Sequence, residues 1–286
     1  MLAINSLRSV PRALACWFGA AGTNEGPTAR IMLFHGTPRR DAAALERQLR
    51  WLKRHFQVVP LRNLVSAAAD SQGGVERKVA LTFDDGLRSH VEVAYPILHR
   101  LALPATFFVC PGLVDRGRWL LTHEMHRRLA RLDPAARAEL AQECATPADL
   151  ERRVREATPH FAPTLQEREA FDLAGWLELR RLDPALVTIG SHTLTHPVLP
   201  SLPAAELERE VRDSRRQLES RLQRPVEFFA YPDGGTNPGV EYCVRRHYRA
   251  AFTAQRGWVR CLADPVRLPR LTAPQGVLRL AHRIYP

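Results

Sequence analysis

The sequence predicts an α/β protein whose parallel strands close into a barrel. Short apolar, β-branched runs alternate along the chain with longer segments that carry leucines at helical spacing. This alternation is typical of βα units and a parallel sheet. The chain has 286 residues and 45% hydrophobic side chains, enough to bury one large core, and α/β barrels of this length commonly form a single domain.

Six apolar runs predict the strands. They are ARIMLF (29–34), KVALTF (78–83), ATFFVC (105–110), LVTIG (186–190), VEFFAYP (226–232) and RAAFTA (249–254). The longest amphipathic pattern covers 204–224, which we predict to be a helix packed on the sheet. Another helical pattern follows Gly86, but Pro96 is expected to bend or interrupt it because proline lacks the N–H that a helix interior needs.

One region departs from this alternation. Residues 115–181 contain several short helical patterns, many charges and proline-containing joints. We interpret this region as a helical insertion between two strands and as a candidate lid. The predicted organisation is therefore an N-terminal extension over 1–28, followed by one domain over 29–286 that contains the insertion.

The charge of the chain bears on its partners. The formal net charge is +11 at pH 7, with a pI of about 10.3, which suggests nucleic acid. The arginines, however, alternate with Glu and Asp on amphipathic helices, a pattern typical of a solvated helix face. The sequence also lacks zinc-finger spacing and RRM-like signatures. We therefore expect no nucleic-acid partner; an acidic polymer or an anionic membrane surface is the alternative.

The cysteines and the N-terminus bear on the cellular compartment. Five cysteines without close pairing are typical of reduced thiols and indicate a reducing compartment. Pro11 and Arg12 interrupt the first apolar stretch, which argues against a secretory signal. No run approaches the ~18 apolar residues of a membrane span. We expect a soluble, cytoplasmic protein with no transmembrane segment; association with the cell envelope is the alternative.

Two adjacent carboxylates stand at the end of a predicted strand. The segment VALTFDDG places Asp84 and Asp85 there, directly before a glycine. In parallel α/β proteins the active face lies at the carboxyl ends of the strands. Because adjacent like charges are costly to bury unless a cation or a proton offsets them, the pair indicates a site rather than an ordinary exposed turn.

Two histidines follow another predicted strand, in the segment SHTLTH. His192 and His196 are four residues apart, so both reach one ion if the segment forms a tight turn or begins a helix. One aspartate and two histidines suit a catalytic divalent metal that keeps one position open for water. The other aspartate would then act as a base on that water. We expect zinc, and cobalt or manganese also suits such ligands.

TFDDG followed by SHTLTH resembles the first two motifs of the polysaccharide deacetylase family, the NodB-homology domains of carbohydrate esterase family four. Both patterns match at every position, and their combination is much more specific than either alone. The resemblance extends from about Ile31 to the end of the chain, apart from the insertion. It implies a distorted (β/α) barrel of the NodB-homology type and metal-dependent removal of N- or O-acetyl groups from a glycan.

The resemblance also implies roles for individual residues. Asp84 resembles the family's catalytic base, and Asp85, His192 and His196 resemble its Asp-His-His metal ligands. The general acid of the family is a histidine that follows a hydrophobic run. IMLFH, which ends in His35, resembles this motif as it occurs in circularly permuted members, where its strand comes first. LRLAH, which ends in His282, fits more loosely, and we expect His282 to be a packing or surface residue.

The third family motif is matched only in part. In FFAYPDGG, Tyr231 and Pro232 resemble the pair whose backbone N–H helps to bind the oxyanion. Ala230, however, stands where many members carry an arginine that orients the catalytic aspartate. We expect either Arg270 or Arg267, both in the segment RLPRL, to replace that arginine.

Two other features have structural interpretations. The segment LTHEMHRRL contains His123, Glu124 and His126, but it lacks the four-residue histidine spacing of zincins. We therefore interpret it as the polar face of an insertion helix. Trp258 is expected to pack within the fold, although its position after a strand also suits an aromatic sugar subsite.

The sequence thus predicts a metal-dependent hydrolase that acts on an acetylated glycan. Among enzymes, the alternative is an amidohydrolase for a small or lipid-linked substrate. Outside enzymes, the alternative is a non-catalytic glycan-binding descendant, which the missing arginine of the third motif keeps open.

Overall fold

The computed structural model describes residues 28–71 and 74–285. The predicted extension over 1–28 therefore lies outside the described residues, apart from Thr28. Within the described part the strands are β1 (Arg30–Phe34), β2 (Gln57–Val58), β3 (Lys78–Phe83), β4 (Ala105–Val109), β5 (Val187–Ser191), β6 (Phe228–Ala230), β7 (Ala250–Arg256) and β8 (Leu268–Thr272).

These strands form one parallel sheet that closes on itself. The order is β1-β8-β7-β6-β5-β4-β3-β2, and β1 also pairs with β3 along its whole length. The short β2 pairs only with the start of β3, so the other seven strands make the closed barrel. The predicted parallel barrel is confirmed. All six predicted strands are present, whereas two strands were not predicted. One is β2, which has only two residues, and the other is β8, whose sequence, LPRLT, contains a proline and an arginine.

Helices surround the barrel. Among the described residues they are α1 (Ala42–His55), α2 (Leu61–Ala69), α3 (Tyr95–Leu101), α4 (Pro111–Arg116), α5 (Leu121–Leu129), α6 (Pro134–Glu143), α7 (Pro147–Ala157), α8 (Leu165–Phe171), α9 (Trp176–Arg180), α10 (Ala204–Leu222), α11 (Pro238–His247) and α12 (Val277–Ile284). Helices α4 to α9 follow one another between β4 and β5, the region of the expected insertion. None of the described helices combines the length and the apolar character needed to cross a bilayer.

Alternate residues of each strand face opposite sides of the barrel wall. Ile31 and Phe108 belong to an apolar cluster that α2 completes, whereas their neighbours Met32 and Phe107 join a larger cluster with α1, α3 and α10. Because both faces are buried, the strands appear in the sequence as continuous apolar runs rather than alternating patterns. All the strands are parallel, so their carboxyl ends meet at one end of the barrel.

A π-helical turn precedes α3, where Pro96 was expected to disturb the helix. The turn covers His90–Ala94, and Pro96 then lies in the first turn of α3. The His90 ring is buried, with its centroid 5.5 Å from that of Phe83 and 5.4 Å from that of Phe107. Neither ring nitrogen has a hydrogen-bond partner. Burial lowers the pKa of His90 to about 4, so the folded protein holds this ring neutral at pH 7.

The neutral His90 should make the stability of the fold depend on pH. The unfolded chain binds a proton near the ordinary pKa of 6.5, but the folded chain does so only near 4. The free energy of unfolding therefore falls as the pH drops from 6.5 to 4. At about 1.4 kcal/mol per pKa unit, the loss is on the order of 3 kcal/mol. His90→Phe should remove this part of the pH dependence in urea denaturation of metal-free protein; an unchanged dependence in the variant would contradict the prediction.

Candidate active site

The carboxyl ends of the strands surround a cleft of about 290 Å³. In a parallel barrel this end carries the loops on which active sites are built. Side chains on or after β1, β3, β5, β6 and β8 form its wall, together with residues of α5. Those with ionisable side chains are His35, Asp84, Asp85, His123, His192, His196, Tyr231, Asp233 and Arg270.

Arg270 forms a two-pronged ion pair with Asp84 inside the barrel. Its Nη1 and Nη2 lie 2.8 and 2.7 Å from the two carboxylate oxygens, and the side chains are only 1% and 4% exposed. Burial alone would raise the pKa of Asp84, but the charge and hydrogen bonds of Arg270 outweigh burial and lower it. The Arg270 Nε donates to the Thr253 carbonyl at 2.9 Å, which fixes the guanidinium. Asp84 is therefore held ionised in one orientation.

Only one of the two arginines expected to replace the third-motif arginine reaches Asp84. Arg270 does so, whereas Arg267 is half exposed and pairs with Glu241 at 3.2 Å. The two arginines are three residues apart, so the direction in which β8 presents its side chains decides between them. A residue from the last strand thus supplies the charge that Ala230 cannot.

Asp85 faces a different set of partners from Asp84. Its Oδ1 lies 3.6 Å from Nε2 of His192 and 3.8 Å from Nε2 of His196. The backbone is left-handed at Asp85 (φ +79°) and at Gly86 (φ +68°), and this sharp turn lets consecutive carboxylates diverge. Burial alone would raise the pKa of Asp85, but its interactions with the two histidines lower it well below its ordinary value.

The two histidines lie in a tight turn after β5. Thr193 and His196 have left-handed backbones (φ +67° and +62°), and the His196 N–H donates to Thr193 Oγ1 at 2.8 Å. Nδ1 of His192 is 2.8 Å from the Ala230 carbonyl. A carbonyl only accepts hydrogen bonds, so Nδ1 carries a proton and Nε2 is the ring nitrogen that faces Asp85. Burial alone would lower the pKa of His192, but the carboxylates of Asp84 and Asp85 outweigh burial and raise it.

Glu210 holds this turn from outside, and no sequence motif predicts this role. The carboxylate accepts hydrogen bonds from the N–H groups of Leu194 and Thr195, both at 2.9 Å, and from Thr195 Oγ1 at 2.7 Å. Glu210 is 5% exposed, although it belongs to the highly charged helix α10. One inward glutamate among many solvated charges leaves no signal in the sequence.

His35 lies at the end of β1, on the exposed rim of the cleft. It is close enough to both aspartates for its charge to lower the pKa of Asp84 and of Asp85. His282, the weaker candidate for the general acid, is exposed on α12 and does not line the cleft. Trp258 also packs away from the cleft, where its Nε1 donates to the Ile284 carbonyl at 3.2 Å.

Tyr231 lines the cleft, but its backbone N–H is already engaged. That N–H donates to the Phe252 carbonyl at 3.0 Å because Tyr231 continues the ladder between β6 and β7. The phenol donates to the Val266 carbonyl at 2.8 Å. Pro232 is buried and begins a 3₁₀ turn. The expectation that the Tyr231 N–H binds an oxyanion is therefore corrected: the sheet uses this donor.

The insertion contributes a histidine that the sequence predicts to lie on a polar helix face. His123, on α5, lines the cleft with Leu120 and Thr122. Its segment lacks zincin spacing, so no motif indicates a role. His123 reaches the cleft because the tertiary fold brings α5 to the strand ends.

The side chains of Asp85, His192 and His196 fit a divalent metal. Their ligand atoms all lie within 4.8 Å of one another, and all three side chains are almost fully buried. Three buried donors converge without direct hydrogen bonds among them, since the nearest oxygen–nitrogen distances are 3.6 and 3.8 Å. Two imidazole nitrogens and one carboxylate are the ligand set of many catalytic metal sites.

A second group among the described residues has similar composition, namely Glu208, Cys243 and His247 between α10 and α11. Here the hydrogen bonds are already made. Nε2 of His247 lies 2.8 Å from one oxygen of Glu208, and the thiol of Cys243 donates to the other at 3.3 Å. Arg246 also pairs with Glu208. This group is satisfied without an ion, unlike the group around Asp85.

Removal of the Arg270 guanidinium should leave Asp84 as an unpaired buried charge. We expect Arg270→Met to lower the free energy of unfolding by about 3–5 kcal/mol. Arg267→Met is the matched control, because that arginine is half exposed, and its loss should cost less than about 1 kcal/mol. Urea denaturation of both variants at neutral pH measures the difference. Similar losses for the two variants would show that the interior pair has no special importance.

Solved structures of deacetylases share this fold over most of the chain. The Streptococcus pyogenes deacetylase PplD, in complex with acetate, aligns with a TM-score of 0.64 and 17% identity, over 91% of this chain and 99% of its own. IcaB from Ammonifex degensii aligns with a TM-score of 0.64 and 19% identity, over 90% of this chain and 98% of its own. The BpsB deacetylase domain from Bordetella bronchiseptica aligns with a TM-score of 0.61 and 17% identity, over 88% of this chain and 98% of its own. At these identities the likeness establishes the fold.

Sequence comparison identifies the family. No curated protein sequence matches the chain significantly, but the family model for polysaccharide deacetylase matches residues 72–250. The matched region is more than half of the chain and contains both aspartates and both histidines of the cleft. It does not include β1 with His35 or β8 with Arg270. The chain belongs to the polysaccharide deacetylase family.

Proposed function

We propose that this chain is a metal-dependent deacetylase that removes N-acetyl or O-acetyl groups from a polysaccharide or a glycan intermediate. The observation that carries the proposal is the separation of two adjacent carboxylates: Asp84 pairs with Arg270, while Asp85 faces His192 and His196. One carboxylate is thus left beside the ligand set as a base. Membership of the family supports a glycan substrate.

Deacetylases of this family use a divalent metal, and we propose that Asp85, His192 and His196 hold it here. Zinc is our first choice, and cobalt or manganese is the alternative, since the ligands suit all three. The Ala230 carbonyl fixes the ring of His192 so that Nε2 is the ligand atom. When bound, such an ion supplies an acidified water and polarises the acetyl carbonyl.

Asp84 accepts the proton of the attacking water in this proposal. Arg270 keeps the carboxylate ionised and oriented. A carboxylate with a lowered pKa is a weak base, so it deprotonates only a water whose own pKa has also been lowered. The proposed base and the proposed ligand set therefore depend on each other.

The other cleft residues complete the proposal. His35, on the exposed rim, protonates the leaving amine or alcohol. Tyr231 and Pro232 shape the wall after β6, and they supply no free N–H from Tyr231. The absence of a nucleic-acid partner and the cytoplasmic location stay predictions from the sequence.

The structure bears on the two alternatives that the sequence leaves open, a small or lipid-linked substrate and a non-catalytic glycan-binding protein. A cleft of about 290 Å³ is at the lower end of ligand-site volumes, which favours a small or lipid-linked substrate as the second candidate. The non-catalytic alternative depended on the missing arginine of the third motif. Because Arg270 makes the contact to Asp84, that argument loses its basis.

We expect the protein to bind one divalent ion per chain at the site of Asp85. Calorimetric titration of chelator-treated protein with zinc should show this stoichiometry for the wild type and no tight binding for His196→Ala. Cys243→Ser is the matched control and should behave as the wild type, because Cys243 belongs to the second group. A wild-type stoichiometry of two that falls to one in Cys243→Ser would instead assign an ion to that group.

Acetate release tests the proposed function directly. Chelated protein should release no acetate from N-acetylated chito-oligosaccharides or O-acetylated bacterial glycans, and added zinc or cobalt should restore release. Asp84→Asn should lower turnover by about 100-fold or more while the ion stays bound. Asp85→Asn should lose both the ion and activity.

Two results would redirect the assignment. Loss of the ion in Asp84→Asn would mean that the roles of the aspartates are reversed. Hydrolysis of a small acetylated amide, with no release from any glycan, would establish the second candidate.

A further inference from the structure

The insertion places in the cleft a histidine that the proposed mechanism does not use. His123 lines the same cleft as the two aspartates, and its Nδ1 is buried without a hydrogen-bond partner in the protein. In the part of the chain that the structure describes, the atoms grouped closely enough at this site to hold an ion are those of Asp85, His192 and His196. His123 therefore stands beside the ligand set and outside it.

We propose that His123 binds the sugar that carries the scissile acetyl group and so determines substrate specificity. The inference rests on the proposed function and names how the enzyme recognises the sugar. Imidazole nitrogens exchange hydrogen bonds with hydroxyl and acetamido groups, which are the polar groups of acetylated sugars. A site that forms a hydrogen bond with a hydroxyl or amide group of its ligand disfavours an analogue that lacks the group.

The charge state of His123 suits such a ligand. Burial lowers the pKa of His123, although the charge of Asp85 partly opposes this effect. A neutral ring offers one donor and one acceptor, and it binds uncharged hydroxyl and amide groups in either sense.

Packing fixes the ring of His123 in place. Its centroid is 4.7 Å from that of Phe171, which lies 5.4 Å from the ring of Trp119. The Arg127 guanidinium covers Phe171 at 5.4 Å from the ring centroid. Nε1 of Trp119 donates to Asp172 at 2.8 Å. A side chain held in this way is preorganised for a ligand.

The residues that pack behind His123 also contact the loop that carries the aspartates. The Asp172 carboxylate pairs with Arg88 at 3.0 Å, and the Ala174 N–H donates to the Gly86 carbonyl at 2.9 Å. His123 and the aspartates are thus connected through a short series of contacts. Preorganised subsites of this kind position the reacting group relative to the catalytic residues.

Glu124, the neighbour of His123, stabilises the insertion through ion pairs. It is buried and pairs with Arg118, Arg128 and Arg155 at 3.5, 2.8 and 3.2 Å. Arg128 belongs to α5 itself, whereas the pairs with Arg118 and Arg155 fix α5 to the rest of the insertion. These two pairs help to set the position of His123 at the cleft.

Two substrates separate sugar binding from chemistry: an N-acetylglucosamine oligomer, and p-nitrophenyl acetate, which has no sugar. We expect His123→Ala to lower kcat/KM for the oligomer by about 10- to 100-fold and to change that for p-nitrophenyl acetate by less than about twofold. The zinc content should be unchanged. His123→Gln should recover part of the loss because it keeps hydrogen-bonding atoms. His126→Ala, an exposed histidine of the same helix, is the matched control and should match the wild type on both substrates.

Three results would overturn the inference: equal losses on both substrates, loss of zinc from His123→Ala, or wild-type kinetics of that variant on the oligomer. If the wild type releases no acetate from either substrate, the proposed function fails, and calorimetric binding of the oligomer to zinc-loaded protein decides the inference separately. Weaker binding by His123→Ala than by the wild type supports it. Equal binding, or no binding by the wild type, overturns it.

Discussion

The ion pair between Asp84 and Arg270 is the interaction on which the arrangement at the strand ends depends. Two consecutive carboxylates are not buried in ionised form unless each meets a compensating charge or donor. Arg270 meets the first carboxylate, so the second is left for the histidines after β5. The pair forms only in the closed barrel, because Arg270 on β8 has to reach past β1 to the end of β3. The different partners of the two aspartates therefore depend on closure of the barrel.

The site also depends on backbone that is unfavourable by itself. Asp85, Thr193 and His196 are left-handed residues that are not glycine, and each such residue costs of order 1–3 kcal/mol. The surrounding fold holds them: Glu210 accepts three hydrogen bonds from the histidine turn, and the Ala230 carbonyl orients His192. Strain that is supported from several sides is typical of sites that must hold ligand atoms in one geometry.

The insertion belongs to this site as well as to the surface. Leu87 and Leu173 form an antiparallel bridge next to the aspartates, and Ala174 bonds to the Gly86 carbonyl. The loop after β3 is therefore held by the barrel on one side and by the insertion on the other. Many arginines of the insertion are used in ion pairs with buried or half-buried glutamates, as around Glu124. Residues 115–181 contain twelve arginines and twelve acidic residues, so the formal charges of this region cancel and these arginines have a structural use.

Local features of the sequence determined the barrel class and the position of the Asp-Asp and His-His segments. Strands buried on both faces leave continuous apolar runs, and the residues that end them are read directly from the chain. The sequence also favoured His35 over His282, and His35 lines the cleft. Tertiary structure alone decided between Arg270 and Arg267 and added His123. It also engaged the N–H of Tyr231 in the sheet. These outcomes depend on strand register, on the direction in which side chains leave each strand, and on the docking of α5. Such contacts join residues far apart in the chain, and no local pattern records them.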